Sequence, residues 1–232
     1  ITYALEKKAD VSAKDVRFDI RHTEFKLIYY GRIIKLKVNL IGRHNVYNIL
    51  AAFAWGIKTG IKAKAIKCAL EKFSFVPGRL VRVYCGKGFF VFVDYAHTPD
   101  ALKNILTALR QLSPKRILTV FGCGGERDKL KRPKMGRVVT ELSDFAVITS
   151  DNPRSENPGD IAEDIQRGIR KDNYCVILNR RLAIRKALSL AKRGDIVVIA
   201  GKGHERYQIL KERAIHFDDL EEVKACLKSL NY

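Results

Sequence analysis

The sequence predicts an α/β protein whose carboxyl-terminal part is built on a mainly parallel sheet with helices on both faces. Beyond residue 78, short apolar runs typical of buried strands alternate with segments of helical periodicity, which favours right-handed βαβ crossovers. The first 40 residues differ, since apolar and basic side chains alternate there in short β-rich stretches. Several of the buried strands are followed by loops rich in glycine and charge, the places where open α/β sheets bind ligands.

The amino-terminal part is predicted to be a small sheet followed by two helices. The predicted strands cover residues 1–4, 16–20, 24–30 and 33–40. Tyr30-Gly31-Arg32 predicts a hairpin turn between the last two strands. Apolar residues at i, i+3 and i+4 then predict a helix over residues 45–55, a break from Gly56 to Gly60, and a second helix over residues 63–73.

A domain boundary is predicted at Val76-Pro77-Gly78-Arg79, where proline and glycine interrupt the pattern. The two predicted domains are residues 1–78 and 79–232. In the second domain the predicted strands are 89–94, 116–121, 145–149, 174–178, 195–200 and a short one near 214–217. The predicted helices are 99–112, 134–142, 162–170, 181–193 and 220–230.

Composition favours a folded enzyme or binding domain over a disordered or membrane-spanning chain. Hydrophobic residues make up 47% of the 232 residues, and no apolar run approaches the roughly 20 residues of a membrane span. The five cysteines are scattered without metal-ligand spacing, so we expect reduced thiols in a cytoplasmic protein and no structural metal. The chain starts without Met and within a strand-like run, which suggests a piece of a longer protein.

The net charge of +19 raises the possibility of nucleic-acid binding, but the distribution of charge argues against it. Residues 1–79 hold 16 Lys/Arg and 6 Asp/Glu, so the excess is shared between both parts rather than gathered in one stripe. The sequence has no RNA-binding aromatic signature and no recognition-helix motif. A solvated basic surface that attracts small anionic substrates is the expectation, with no nucleic-acid partner, no membrane insertion and a monomeric state.

Two of the loops predicted at strand ends suggest nucleotide chemistry. Asp94 ends a very apolar strand, where a carboxylate can accept hydrogen bonds from ribose hydroxyls. The alternative for this loop is a helix cap, which explains Thr98 and Pro99 but not Asp94. The loop from Gly122 to Lys129 has three glycines but lacks the spacing of a phosphate loop, and Cys123 in it is expected to be a packing residue.

The other two loops suggest an amino-acid site. Asp151 to Arg154 combines a carboxylate, an amide, a proline-fixed turn and a guanidinium, which suits a zwitterionic ligand. In Gly201 to Glu205 the glutamate is expected to take an ammonium group. The alternative for Asp151 to Arg154 is an ordinary strand-to-helix turn. Asn45 and Asn48, one helical turn apart, are either a pair of amides aimed at a nucleotide or a cap and a surface amide.

Taken together, these segments resemble the Mur ligase family. The resemblance runs in order along nearly the whole chain and is carried by Gly42 to Ala52, Val76 to Arg79, Asp94 to Asp100, Phe121 to Asp128, Asp151 to Arg154 and Gly201 to Glu205. It implies a Rossmann-like carboxyl-terminal domain preceded by the β-rich and helical tail of a P-loop-type ATPase domain. The segments look most like the family member that adds the third residue of the peptidoglycan peptide.

The resemblance also implies roles for individual residues. The Asp-Asn-Pro-Arg motif implies meso-diaminopimelate as the added amino acid. The positions that match its binding site are Arg127, Asp151, Asn152, Pro153, Arg154, Gly201 and Glu205. The positions that match the surroundings of the nucleotide are Asn45, Asn48, Arg79 and Asp94. No catalytic residue and no metal ligand is assigned within this chain.

The implied reaction is ATP-dependent formation of an amide bond with magnesium as the second cofactor. ATP would phosphorylate the D-glutamyl carboxylate of UDP-N-acetylmuramoyl-L-alanyl-D-glutamate, and the diaminopimelate amine would attack the acyl phosphate. These 232 residues contain no G-x-x-x-x-G-K-[ST] motif, so we expect no turnover by this chain without further sequence. The alternatives are a related folylpolyglutamate-synthetase-type ligase and a non-catalytic binding module.

Overall fold

The computed structural model describes residues 1–5, 7–211 and 213–230. The chain forms two compact units, Ile1–Phe75 and Val76–Tyr232. The boundary predicted between residues 78 and 79 lies three residues beyond the division between these units. The two predicted domain ranges stay predictions.

The first unit contains a four-stranded sheet. Its strands are β1 (Tyr3–Leu5), β2 (Val11–Phe18), β3 (Thr23–Tyr29) and β4 (Arg32–Val38), in the order β1-β2-β3-β4. β1 pairs with β2 in parallel, and the other pairs are antiparallel. The predicted hairpin turn is present: Tyr30 and Gly31 have φ angles of 44° and 76°, the combination that a two-residue hairpin turn requires.

Two helices cover one face of this sheet, α1 (Arg43–Lys58) and α2 (Ala63–Lys72). Leu27 of the sheet packs with Leu50 and Phe53 of α1 in a common core. The predicted break at Gly56 is wrong, because α1 continues to Lys58. Gly56 instead lets α2 approach, since a Cβ on it would lie 2.8 Å from Cδ1 of Ile66, and the chain turns at Gly60.

The second unit is built on a six-stranded sheet. Its strands are β5 (Val81–Val83), β6 (Phe90–Asp94), β7 (Ile117–Phe121), β8 (Phe145–Ile148), β9 (Tyr174–Val176) and β10 (Ile196–Ala200), in the order β5-β6-β10-β7-β8-β9. β5 is antiparallel to β6, and the remaining pairs are parallel. The predicted mainly parallel α/β fold is therefore confirmed. β10 is inserted between β6 and β7, although it comes last of the six in the chain.

Helices lie on both faces of this sheet. They are α3 (Pro99–Arg110), α4 (Lys131–Leu142), α5 (Pro158–Gln166), α6 (Arg180–Leu190) and α7 (Asp219–Ser229). α6 and α7 share a buried core with Val91, Val120 and Val197. α3 packs against α4, and α4 packs against α5. The connections that contain these three helices run along the sheet in the direction opposite to the connection that contains α6. Because such crossovers are right-handed, α3, α4 and α5 lie on the face opposite to α6.

Helix starts and short strands account for most differences from the prediction. α5 begins at Pro158 rather than residue 162, because Asn157 caps it by accepting a hydrogen bond from the Gly159 N–H. α4 begins before Pro133, which a first helical turn tolerates. Two strands were not predicted, β5 and β11 (Tyr207–Leu210). β11 pairs with β12 (Arg213–His216), the short strand that was predicted nearby. No helix within the described residues is long and apolar enough to cross a bilayer.

Candidate functional site

The predicted ligand-binding loops follow four strands that are neighbours in the sheet. The loop after β10 lies between those after β6 and β7, and the loop after β8 comes next along the same edge. Since the strands are parallel, their carboxyl ends point to one side of the second unit. The loops after β7, β8 and β10 are joined by side-chain and backbone contacts, and Tyr95 of the loop after β6 adds a hydrogen bond to Glu205.

The turn after β8, Asp151 to Arg154, is largely buried and held from two sides. Arg154 has a φ of 53°, a left-handed conformation that is uncommon for a residue with a side chain. Its backbone N–H donates to the Ile209 carbonyl (3.2 Å), and its carbonyl accepts from the Lys211 N–H (2.7 Å). The Gln208 amide donates to the Asp151 carbonyl at 2.7 Å. The unpredicted strand β11 therefore braces this turn and fixes where Arg154 points.

The glycine loop after β7 braces the same turn from the other side. The Gly125 N–H donates to the Asn152 carbonyl at 2.9 Å. A Cβ on Gly125 would stand 1.9 Å from the Pro153 carbonyl oxygen, and one on Gly122 would stand 2.1 Å from that of Thr149. These glycines therefore let two loops of the protein approach each other, a role that sequence spacing alone does not reveal.

A buried arginine of α4 joins these two loops to α5. The Arg132 guanidinium lies 2.9 Å from Glu156 Oε2 and 3.0 Å from Asp164 Oδ2, and it also donates to the Gly124 carbonyl at 3.4 Å. Arg132 and a backbone N–H lower the pKa of Glu156 to about 2. The turn that carries Arg154 is thus anchored by a charged cluster just behind it.

Two of the predicted arginine side chains pack beside Gly124. Arg154 NH1 lies 3.1 Å, and Arg127 Cγ 3.7 Å, from the point where a Cβ would stand on this glycine. Arg154 donates to the Gly125 carbonyl at 2.7 Å. Arg127 is exposed and has no hydrogen bond or ion pair within residues 1–5, 7–211 and 213–230. Arginine side chains on two adjacent loops are suited to binding a carboxylate.

Carboxylates lie beside these cations on the neighbouring strand ends. Glu205 Oε2 accepts from Asn152 Nδ2 at 3.0 Å, and Glu205 Oε1 accepts from the Tyr95 hydroxyl at 3.4 Å. Burial and the nearby Glu205 carboxylate raise the pKa of Tyr95. Asp151 approaches Gly201, which has a φ of 119°, and a Cβ there would stand 2.6 Å from Asp151 Oδ2. Gly201 thus contributes space for the Asp151 carboxylate, and its N–H donates to the Asp94 carbonyl at 3.1 Å.

Two fully buried cations beneath the site were missed by the sequence reasoning. Lys202 Nζ donates to Asn152 Oδ1 at 2.8 Å and to the Tyr207 carbonyl at 2.7 Å. Burial lowers the pKa of Lys202, and nearby Asp151 opposes this shift. Arg180 pairs with buried Asp219 through two hydrogen bonds of 2.8 and 2.7 Å and also donates to the Ala200 carbonyl. A lysine between two glycines directly after an apolar strand was the available signal for Lys202.

The residues predicted to lie near a nucleotide are divided between the two units, and Arg79 and Asp94 belong to the second. Asp94 is buried, and its two oxygens accept from the backbone N–H groups of Leu80 and Ala96, both at 2.7 Å. Arg79 lies over the Tyr95 ring, with its guanidinium carbon 5.4 Å from the ring centroid. Thr98 caps α3, as the alternative for this loop requires.

Asn45 and Asn48 belong to the first unit. The buried Asn45 side chain donates to the Ile41 carbonyl at 2.9 Å, and Asn48 donates to Asn45 Oδ1 at 3.3 Å. Asn45 is not the cap of α1, because that position is taken by Gly42. A nucleotide role for these two residues, and for Arg79 and Asp94, stays a prediction.

The Cys123 thiol of the glycine loop lies in the interior of the second unit. Cys123 is buried against Met135, and burial raises the pKa of its thiol to about 12, so it behaves as a packing residue. Within the described part of the chain, no group of three or more His, Cys, Asp or Glu side chains is arranged to hold a metal ion.

Comparison with known protein families agrees with the predicted resemblance. Residues 78–203 match the family model described as Mur ligase, glutamate ligase domain, and residues 1–56 match the Mur ligase middle domain. The first match covers more than half of the chain.

Individual relatives point to the same family. The chain is 50% identical, over 99% of its length, to UDP-N-acetylmuramoyl-L-alanyl-D-glutamate--2,6-diaminopimelate ligase 1 of Clostridium acetobutylicum, and it covers 48% of that protein. A solved structure of a UDP-N-acetylmuramoyl-L-alanyl-D-glutamate--2,6-diaminopimelate ligase is 35% identical, with a TM-score of 0.75 over 99% of this chain and 48% of that one. Folylpolyglutamate synthase of Mycobacterium tuberculosis is 20% identical, with a TM-score of 0.67 over 85% of this chain and 46% of that one, a likeness of fold alone.

Proposed function

Because this chain belongs to the Mur ligase family, we propose that it is the amino-acid-binding part of a ligase that adds meso-diaminopimelate to UDP-N-acetylmuramoyl-L-alanyl-D-glutamate. The chain spans about half the length of the curated relatives it matches. The activity of the whole protein, with ATP as the energy source and the cytoplasm as its location, is part of the proposal. The names of the relatives and the predicted resemblance support it.

The observation that carries the proposal is the pairing of opposite charges at adjacent strand ends. Arg127 and Arg154 lie on the loops after β7 and β8, and the carboxylates of Asp151 and Glu205 lie on the loops after β8 and β10. meso-Diaminopimelate is an amino acid with a second ammonium and a second carboxylate at its far end. In the proposal the arginines bind the distal carboxylate through paired hydrogen bonds, and Glu205 and Asp151 hold an ammonium group.

In this proposal the described residues bind and orient one substrate and do not activate the other. Holding the distal end of diaminopimelate would leave its other amine directed away from the arginines, towards the acyl group that it attacks. Positioning of this kind raises the rate by removing translational and rotational freedom before reaction. The braced Arg154 turn suits this role, since a binding group that is already fixed loses little entropy when the ligand binds.

The described residues are less well suited to binding a nucleotide or a metal ion than to binding an amino acid. No cluster of metal-ligating side chains exists in the described part of the chain, and the Asp94 oxygens already accept backbone hydrogen bonds. We therefore assign ATP and Mg²⁺ to the complete protein, with residues 1–232 supplying at most part of their surroundings. ATP would supply the phosphoryl group that activates the carboxylate substrate.

Of the alternatives, a folylpolyglutamate-synthetase-type ligase is disfavoured, because that likeness is at 20% identity and concerns the fold. A binding module without any catalytic partner is also disfavoured. The chain instead matches relatives of about twice its length that are named as ligases.

Calorimetric titration of the chain with meso-diaminopimelate and with L-lysine tests the proposed substrate. Lysine lacks the distal carboxylate, so the proposal expects measurable binding of diaminopimelate and at least about tenfold weaker binding of lysine. Equal affinities, or no binding of diaminopimelate, would contradict the assignment.

A further inference from the structure

We propose that Lys202 is a positioning residue: it fixes the orientation of the Asn152 amide and, through that amide, the Glu205 carboxylate that receives the ammonium group of the amino acid. The inference rests on the proposed function for the identity of the ligand. The part of the inference that concerns hydrogen bonds within the protein applies to the unliganded state and does not depend on the ligand. Lys202 itself lies beneath the binding surface and would not touch the substrate.

Lys202 lies in the interior of the protein, beneath the proposed binding surface. Its side chain is 0% exposed, and a buried ammonium is stable only when it is paired and hydrogen-bonded. Nζ donates to Asn152 Oδ1 at 2.8 Å and to the Tyr207 carbonyl at 2.7 Å. It also faces two carboxylates at longer range, Asp151 Oδ1 at 3.9 Å and Glu205 Oε2 at 3.8 Å. The lysine therefore contacts three of the elements that form the site.

The Asn152 side-chain amide has two possible orientations, which differ by exchange of its oxygen and nitrogen. Its oxygen faces two donors, Lys202 Nζ at 2.8 Å and the Ile209 N–H at 3.0 Å. Only the oxygen can accept both hydrogen bonds, so this orientation is set by chemistry and its Nδ2 must face Glu205. The reversed amide would leave a buried ammonium opposite an NH₂ group and set the amide oxygen against a carboxylate, losing both hydrogen bonds.

The Asn152 amide in turn restrains the Glu205 carboxylate. Asn152 Nδ2 donates to Oε2 at 3.0 Å, and the Tyr95 hydroxyl donates to Oε1 at 3.4 Å. Held by one donor on each oxygen, the carboxylate keeps further lone pairs for a ligand, and its side chain is 20% exposed. Because the Tyr95 contact is the longer one, Asn152 is the stronger of the two restraints.

Lys202 also affects the balance of charge among the groups that surround it. The groups that face Lys202 are Asp151, Glu205, Arg180 and Asp219. Arg180 and Asp219 neutralise each other in a buried pair, so Lys202 balances one of the two remaining carboxylates. Lys202, Asp151 and Glu205 together carry one net negative charge, which matches a single ammonium group. Without Lys202, two carboxylates that converge on one place would repel each other, and Glu205 would turn away from Asp151.

The test compares Lys202→Met with Lys186→Met, which removes the same charge from an exposed position on α6. Without ligand, nuclear magnetic resonance of the Asn152 side-chain NH₂ protons should show slow hydrogen exchange in the wild type and in Lys186→Met. Exchange should be at least about tenfold faster in Lys202→Met, because the amide loses a charge-assisted partner. Unchanged exchange would overturn the inference, whatever the ligand.

The second measurement is calorimetric titration with meso-diaminopimelate. Lys202→Met should lower the affinity at least about tenfold, and Lys186→Met should leave it unchanged. Wild-type affinity in a folded Lys202→Met protein would overturn the inference. If the wild type gives no heat with diaminopimelate, the proposed function fails instead, and the exchange measurement alone decides the role of Lys202.

If Lys202→Met does not fold, Asn152→Asp provides the test, because it keeps the shape of the side chain and replaces the NH₂ donor by an acceptor facing Glu205. This variant should lose at least about tenfold in affinity, and Tyr95→Phe should lose less, since it removes only the longer contact. Wild-type affinity in Asn152→Asp would contradict the proposed route through the amide.

Discussion

The loops after β6 and β8 both place an aspartate at the end of a buried strand, yet the two carboxylates have different surroundings. Asp94 accepts hydrogen bonds from the Leu80 and Ala96 N–H groups, both within its own unit. Asp151 Oδ2 instead faces Gly201, and the cation nearest to the Asp151 carboxylate is Lys202, whose Nζ lies 3.9 Å from Oδ1. The Asp94 oxygens are therefore engaged by the backbone of their own unit, whereas a buried lysine faces Asp151 at longer range.

The two loops also differ in how they are supported. The turn after β8 is held by strand β11, by the glycine loop and by the buried Arg132 cluster behind it. The loop after β6 is held by the two hydrogen bonds of Asp94, by Lys131 Nζ, which donates to the His97 carbonyl, and by the Tyr95 N–H, which donates to the Gly78 carbonyl. Substitutions should therefore separate stability from binding. Changes at supporting residues should affect unfolding, and changes at Arg127, Arg154 and Glu205 should affect binding.

The largest effect on stability is expected for Arg132→Met. It leaves Glu156 and Asp164 without their shared buried partner, and breaking such a pair costs about 3 kcal/mol. Arg137→Met on the same helix removes an exposed pair with Glu141 and should change the free energy of unfolding by no more than about 0.5 kcal/mol. Urea unfolding followed by circular dichroism measures both. Similar values for the two variants would show that the cluster does not support the turn.

A somewhat smaller loss is expected for Asp94→Asn. The uncharged amide can accept only one of the two backbone hydrogen bonds, which should lower the free energy of unfolding by about 2 kcal/mol. The matched control is Asp172→Asn at an exposed turn position, which should stay within about 0.5 kcal/mol of the wild type. If Asp94→Asn unfolds like the wild type, the contrast between the two aspartates is wrong.

The close approach of the loops after β7 and β8 predicts a cost for Gly125→Ala of about 1–3 kcal/mol, because the new methyl group meets the Pro153 carbonyl. In the first turn of α5, Gly159→Ala should change stability by less than about 1 kcal/mol, since its nearest contact would be 3.2 Å from a side chain. Thermal unfolding of the two variants compares them directly. Equal stability would mean that these glycines serve another purpose.

A pH dependence of the stability is predicted from Glu156. Its pKa in the folded protein is about 2, below the ordinary 4.5, so the ionised form is favoured by folding. The resulting stability is fully present above about pH 4.5 and is lost as the pH falls towards 2. In Glu156→Gln the free energy of unfolding should depend less on pH across this interval than in the wild type. Identical pH profiles would contradict the assigned pKa.

Much of the architecture could be predicted from local pattern. Buried strands of four or five apolar residues are distinct in the sequence, and their ends located the turn of Asp151 to Arg154 correctly. The contacts that give the turn its shape were not predictable, because Gly125 and Pro153 are distant in sequence and meet only in the folded sheet. β11 was missed because it has only four residues and is interrupted by the polar Gln208.

The roles of buried polar residues were the hardest to predict. Lys202 lies within a recognised motif, but its role depends on which group each of its hydrogen bonds reaches, and spacing does not contain that information. Arg180 gave no signal at all, since an arginine at the start of a helix is ordinarily exposed. Its partner Asp219 lies 39 residues away.

The most direct test of the account is the discrimination between meso-diaminopimelate and L-lysine by Arg154→Ala, measured by calorimetry. Arg154 is held in place by the turn and lies beside Arg127, so its loss should weaken diaminopimelate binding by roughly 2–4 kcal/mol and leave lysine binding unchanged. Arg185→Ala, at an exposed position on α6, should behave as the wild type. Equal heats of diaminopimelate binding for Arg154→Ala and the wild type would contradict the central claim that the turn after β8 reads the distal carboxylate.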